Sequence, residues 1–96
     1  MGKDKLRRFR ENLTFDCFVQ PEFDEVFHCD HPLKGRWRSD FFRNDNPIVL
    51  ELGCGKGEYT VALAEHDPSR NYIGIDIKGA RMWRGAKSVT ERKIAN

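Results

Sequence analysis

The sequence predicts an α/β fold: the N-terminal half of a doubly wound parallel sheet, preceded by an irregular aromatic-rich arm. Three observations carry this expectation. Ile48-Val49-Leu50-Glu51-Leu52 is a short apolar run rich in β-branched residues, Gly53-Cys54-Gly55-Lys56-Gly57 follows it at once, and Asn71–Ile77 repeats the strand pattern after a helical stretch. Runs of this kind bounded by Pro and Gly suit buried parallel strands, and strands alternating with helical patterns build βαβ units. The chain therefore divides into an arm with a basic tip over 1–46 and the first βαβα portion of a ligand-binding domain over 47–96.

Leu6, Phe9 and Leu13 fall at i, i+3 and i+7, which predicts a short helix over Lys5–Asn12 with a basic outer face. Phe15, Phe18, Phe23, Phe27, Trp37, Phe41 and Phe42 then follow without a period, among Pro21, Pro32 and Gly35. They read as anchors of an extended arm, with one helical turn near Ser39–Arg43. Asn44-Asp45-Asn46-Pro47 is a turn and the boundary. After the strand at Ile48–Leu52, a helix is expected from Glu58 to about His66, with Tyr59, Ala62, Leu63 and Ala64 as its apolar side. The second strand runs to Ile77. A second helix runs from Gly79 to about Lys93, with Met82, Trp83, Ala86, Val89 and Thr90 inside and Arg81, Arg84, Lys87 and Arg92 mostly outside. Gly85 in its middle costs about 1 kcal/mol relative to Ala. Two strands with two helices cannot cover both faces of a sheet, so the sequence is expected to be the N-terminal part of a longer protein.

Composition narrows the function classes. Seventeen Lys and Arg stand against fifteen Asp and Glu in 96 residues, which is one domain at most. The near balance hides an uneven distribution: net +4 over 1–10, −6 over 11–30, +2 over 31–47, −3 over 48–77 and +5 over 78–96. Basic ends attract polyanions at long range, although the same charges also serve as a solvated surface. The longest apolar run is Val61–Ala64, far short of the roughly 20 residues of a membrane span. The basic start lacks the apolar segment of a secretory signal, and Leu6 breaks the myristoylation pattern. Cys17, Cys29 and Cys54 are odd in number and well separated, which fits a reduced, cytoplasmic chain.

The glycine loop carries the chemistry. Between a strand end and a helix start, Gly53, Gly55 and Gly57 permit positive φ and close approach of a ligand to the backbone, and the helix beyond offers unpaired N–H groups. The spacing is G-x-G-x-G. A dinucleotide fingerprint needs glycine where Glu58 stands, and a phosphate-cradling loop needs Ser or Thr where Gly57 stands. Glu58 at the helix entry also repels a pyrophosphate, so a nucleoside without phosphates is preferred. Asp76 closes the second strand 23 residues after Gly53, where an acid accepts hydrogen bonds from both ribose hydroxyls. Glu51, on the carboxyl end of the first strand, suits a cationic amine. An adenosyl group with an amino-acid tail and a sulfonium, S-adenosylmethionine, fits both acids. Each feature also has a plainer use: a tight turn for the glycines, an N-cap or ion pair for Asp76, and a structural ion pair for Glu51.

Glu51-Leu-Gly-Cys-Gly-Lys-Gly-Glu58 with Gly74-Ile-Asp76-Ile-Lys78 resembles the first two motifs of the Rossmann-like class I methyltransferases. The whole chain is similar to the amino-terminal part of bacterial tRNA (guanine-N7)-methyltransferases. Pro32-Leu-Lys-Gly-Arg-Trp37 with Phe41-Phe42, and Lys78-Gly-Ala-Arg-Met-Trp-Arg-Gly-Ala-Lys87, carry the narrower likeness. The resemblance implies methyl transfer from S-adenosylmethionine to N7 of guanine 46 in tRNA. Glu51 and Asp76 then match the family's first two cofactor-contacting acids, the second of which is usually Glu. The family's remaining cofactor acids and its Asp-Pro-Trp guanine site lie beyond Asn96, so the 96 residues alone are expected to be inactive and prone to aggregate.

Guanine N7 carries an available lone pair, so no general base is needed and no catalytic Ser, His or Cys is nominated. His28-Cys29-Asp30-His31 gathers metal-ligating residue types, but neighbouring positions rarely converge on one tetrahedral site, and no metal is expected. Cys54 reads as a small filler in the loop. Trp37 reads as a packing residue, with base stacking the alternative. The basic stretch Lys3–Arg10 is expected to contact RNA. Two rival functions remain: a non-catalytic RNA-binding or interaction module, and a nucleotide-dependent oxidoreductase, which the missing third dinucleotide glycine disfavours.

Overall fold

The computed structural model describes residues 2–96 and the side chains of residues 4–96. In chain order the elements are helices α1 (Gly2–Asn12) and α2 (Phe23–Phe27), a π-helical turn (Trp37–Phe42), strand β1 (Ile48–Leu52), helix α3 (Glu58–His66), strand β2 (Asn71–Ile75) and helix α4 (Gly79–Arg92). The two strands form a parallel pair in the register Ile48↔Asn71 to Leu52↔Ile75. Helix α3 packs on β2, and α4 packs on both α3 and α1. The chain is therefore α/β with a two-stranded parallel sheet. None of the described helices is long and apolar enough to cross a membrane.

The expected elements of the second half stand at their expected positions, with informative differences at the edges. Strand β2 ends at Ile75 rather than Ile77, because Asp76 turns back to accept backbone N–H groups. On α3 the inner residues are Val61, Leu63 and Ala64, whereas Tyr59 and Ala62 face solvent. Thr90 on α4 is exposed, but Trp83 and Ala86 are core, as their spacing predicts.

The first half is more helical than an extended arm. Helix α1 starts at Gly2, ahead of the expected Lys5. Its first turn carries Asp4 and its last carries Arg10, the order that suits the helix dipole. The side chain of Lys3 lies outside the described residues. Helix α2 has no counterpart among the expected elements; Glu25 accepts the Glu22 N–H at its start. Phe23 and Phe27 on α2 do not anchor on the body: they stack on each other at 4.7 Å and stay exposed. Trp37, Phe41 and Phe42 pack edge-on in sequence along the π turn, which closes with Arg43 at φ 59° and the Asn44 N–H on the Arg38 carbonyl.

Two buried asparagines fasten the halves together. Asn12 ends α1 by donating to the Gly79 carbonyl at 3.0 Å, joining it to the start of α4. Asn71 opens β2 by donating to the Asn44 side chain at 2.8 Å, and its own N–H reaches the Pro47 carbonyl. The Asn44–Asn46 turn is thus hydrogen-bonded to the sheet it precedes. Trp83 fills the contact between α1 and α4, where its indole N–H donates to Glu11. Asn96 closes the sheet side: its carbonyl accepts from the Tyr72 N–H, and its amide donates to Ala64, Asp67 and Arg70 carbonyls.

One sheet face carries little cover. Leu50, Leu52 and Ile75 are exposed, and Leu50 and Leu52 share a face by strand alternation. A bare apolar face of this kind favours association.

The α3–β2 connection has its own pH dependence. Asp67 accepts from the Ser69 hydroxyl and N–H, from Tyr72 Oη at 2.9 Å and from Arg70 at 3.1 Å. These bonds, that from the Ser69 hydroxyl foremost, lower its pKa to about 2. The folded value lies below the roughly 3.9 of a free aspartate, so the ionised form stabilises the fold above about pH 4. That contribution is lost as the pH falls toward about 2. Thermal melts of the chain and of Asp67→Asn should differ at pH 5 and converge near pH 2. A constant difference between the two melts would remove this role.

Candidate functional site

The glycine loop lies at the carboxyl ends of both strands, and hydrogen bonds from three of its N–H groups fold it onto the end of β2. The Gly53 and Cys54 N–H groups share the Ile75 carbonyl at 2.7 and 2.9 Å. The Gly55 N–H donates to Asp76 Oδ2 at 2.9 Å. Gly53, Gly55 and Gly57 have φ of 71°, 59° and 80°, a region where any other residue would be strained, so the predicted need for glycine holds at all three. Gly57 is the N-cap of α3 and has no side chain to offer, so the first-turn N–H groups have no capping partner from it.

Asp76 is a loop holder. Its two oxygens accept from Gly55 and, at 3.1 Å, from the Lys78 N–H. These backbone bonds, with Gly55 first, hold its pKa below the usual carboxylate value, so it is ionised at neutral pH. Arg81 lies nearby, its guanidinium 3.5 Å from where a Cβ on Gly55 would stand, and adds to the same effect. Glu51, next to last in β1 and paired with Gly74, accepts the Thr60 hydroxyl from the first turn of α3. Cys54 lies near both acids: burial first, then the charges of Asp76 and Glu51, push its thiol pKa up. A thiol held protonated in this way is a filler and no nucleophile. The structure thus brings Glu51, the three glycines and Asp76 to one place.

Two further glycines make that arrangement fit, for reasons that lie in contacts distant along the sequence. A Cβ at Gly74 would stand 3.0 Å from Cys54 and from the Thr60 hydroxyl, so its absence lets the loop and α3 close on β2. A Cβ at Gly85 would stand 2.6 Å from the Lys56 carbonyl oxygen. Gly85 is the point where α4 touches the loop, which explains a residue that is otherwise a liability within a helix.

A cavity of about 700 Å³ opens beside the loop. Its lining includes Cys54, Gly57, Thr60 and Asp76 but not Glu51, Gly53 or Gly55, and extends over the sheet face to Phe18, Trp37 and Phe41 of the first half. That volume is within the range of small-ligand sites. The residues of the His28–His31 cluster do not share a centre: Cys29 bonds the carbonyls of Asp24 and Glu25, and His31 Nδ1 accepts the Leu33 N–H. Among the described residues no three metal-ligating side chains converge.

Residues 45–96, which hold the entire loop and both acids, match the sequence model of a family described as "Putative methyltransferase". The chain belongs to this methyltransferase family. The relatives agree. A tRNA (guanine-N(7)-)-methyltransferase of Christiangramia forsetii is 58% identical over 95 residues, which is 99% of this chain and 42% of the relative. One from Bacteroides fragilis is 46% identical over 96 residues, all of this chain and 38% of the relative. One from Porphyromonas gingivalis is 65% identical over 65 residues, 68% of this chain and 27% of the relative. The chain spans about two-fifths of the length of the relatives it matches end to end. No solved structure matches it. The expected methyltransferase family is therefore the one to which the chain belongs.

Proposed function

We propose that these residues form the S-adenosylmethionine-binding half of a Rossmann-like, doubly wound class I methyltransferase, a cytoplasmic tRNA (guanine-N7)-methyltransferase acting at guanine 46. What supports this most directly is the bond from Gly55 N–H to Asp76 Oδ2, which fixes the β2 acid beside a glycine loop that follows β1. The relatives' shared name supports N7 of a tRNA guanine as the target, and position 46 follows from the family resemblance.

The site suits that cofactor. Each Asp76 oxygen accepts one backbone N–H and keeps a lone pair for a ribose hydroxyl. Glu51 spends one oxygen on Thr60 and keeps the other for a cationic amine. Gly53 has open space where a Cβ would stand, so a ligand can approach its backbone. Glu58 at the entry of α3 disfavours a pyrophosphate, which weighs against the oxidoreductase reading.

When bound, S-adenosylmethionine supplies an electrophilic methyl group on sulfur. The chain's part is to bind and orient. Asp76 and the glycine loop hold the ribose edge, Glu51 holds the amino-acid end, and the Cys54 thiol stays protonated beside them. No side chain here need move a proton, because guanine N7 attacks through its own lone pair. The rate then depends on alignment and on excluding water. The guanine pocket is assigned to segments that the relatives carry outside the matched two-fifths.

The test is a chimera in which these 96 residues replace the matching part of the Christiangramia forsetii relative. With labelled cofactor and unmodified tRNA it should place the methyl group on guanine N7, while the 96 residues alone should not. A folded chimera that binds tRNA but transfers no methyl group would contradict the proposal.

A further inference from the structure

The α1–α4 contact concentrates positive charge in a way the packing does not require. Arg7, Arg8 and Lys87 all lie against the ring of Trp83, at 5.4, 4.6 and 4.9 Å from its centre. Two of them come from α1 and one from α4. The ring attracts each cation, but the three repel one another. Compensation by acids is thin. Glu11 is spent on the Trp83 indole N–H, and Asp4 reaches Arg7 only at 3.9 Å. Among the described residues no carboxylate stands within ion-pair distance of Arg8 or Lys87, and Arg8 Nε is buried without a hydrogen-bond partner. Lys34, Arg70 and Arg92 are closely paired, with Asp30 at 2.9 Å, Asp67 at 3.1 Å and Glu65 at 3.3 Å; what sets Arg7, Arg8 and Lys87 apart is that all three converge on one ring.

We propose that α1 and α4 together form a platform for an RNA sugar–phosphate backbone, with Arg7, Arg8 and Lys87 held in place by Trp83. The proposal rests on the reading that RNA is the substrate. It extends the basic face of the Lys5–Asn12 helix expected from sequence into a two-helix surface that includes Lys87. Trp83 is buried, so it orients the cations and does not stack on a base. Contact through phosphates alone carries no sequence information, so the platform positions the RNA and leaves selection to the guanine site. Exposed Leu6 and Leu13 on and beside α1 are the side chains a membrane surface would also take up, which makes anionic vesicles the necessary comparison.

The experiment measures the affinity of the chimera with the Christiangramia forsetii relative for a labelled tRNA transcript across a salt series, with the variants made in its 96-residue part. Arg8→Gln with Lys87→Gln should reduce the log–log salt slope by about 1.5, at about 0.7–0.9 for each phosphate no longer neutralised. Arg92→Gln, which removes a paired cation, should leave the slope unchanged. Lysine acylation of the unaltered chimera gives a second readout that does not depend on the variant folding: RNA should protect Lys87 and spare Lys34. An unchanged slope in a folded double variant overturns the platform, as does equal acylation of Lys87 with and without RNA. Binding to phosphatidylserine vesicles that the double variant loses, with no change in RNA binding, would assign the surface to membranes instead. Cofactor binding measured on the same samples separates the two proposals. Slope loss without cofactor binding upholds the platform and removes the assignment of Glu51, Asp76 and the glycine loop to the cofactor, and the converse removes the platform alone.

Discussion

Gly85→Ala is expected to destabilise the chain and to weaken cofactor binding together. In an unconstrained helix the substitution would help by about 1 kcal/mol. Here the new Cβ would meet the Lys56 carbonyl oxygen at 2.6 Å and Gly57 Cα at 3.4 Å. Both are backbone atoms, so neither can swing aside as a side-chain tip would. Overpacking of this kind costs about 1–3 kcal/mol, which outweighs the propensity gain. The strain falls on the loop, so Gly55 is drawn away from Asp76 and cofactor affinity drops beyond what stability alone explains. Denaturant melts and ligand titration of the variant, beside Arg84→Ala on the exposed side of α4, check this. A more stable Gly85→Ala chain with unchanged affinity would show that α4 does not brace the loop.

Asp76→Ala should weaken S-adenosylmethionine binding by about ten- to a hundredfold, the scale of losing hydrogen bonds to a charged group. Two losses combine: the acceptor for the ribose, and the bonds to Gly55 and Lys78 that shape the loop. Asp76→Asn keeps one acceptor oxygen and should fall between Ala and the native residue. Because backbone bonds keep Asp76 ionised, binding should hold through neutral pH and decline only as the carboxylate protonates in acid. Native-like affinity in a folded Asp76→Ala chain would remove both roles at once.

Both cases show which parts of the molecule can be read along the chain. The loop, β1 and α3 are legible because their signals are local: an apolar run, glycines where φ must be positive, and a helical period after them. Asp76 is legible by its distance from the loop, although its bond to Gly55 is not. Gly85 reads as a helix defect because the Lys56 carbonyl that demands it lies far away in sequence, before α3 and β2. Gly74 is hidden in the same way behind Cys54 and Thr60. The charge around Trp83 escapes for a related reason, since Arg7 and Arg8 meet Lys87 only after α1 docks on α4. The π turn over Trp37–Phe42 falls on the helical turn expected near Ser39–Arg43, whereas the five-residue α2, opened by Glu22 and Glu25, is too short to show a period, and exposed Phe23 and Phe27 mimic buried anchors in composition.

The central claim is that the loop and its two acids hold an adenosyl amino acid. Backbone NMR during titration with S-adenosylhomocysteine tests it most directly, because each glycine N–H reports on its own contact. Saturable shifts are expected at Gly53, Gly55, Gly57, Glu51 and Asp76, with no comparable response to NADH. Silence at those amides, or stronger shifts with NADH than with S-adenosylhomocysteine, would contradict it.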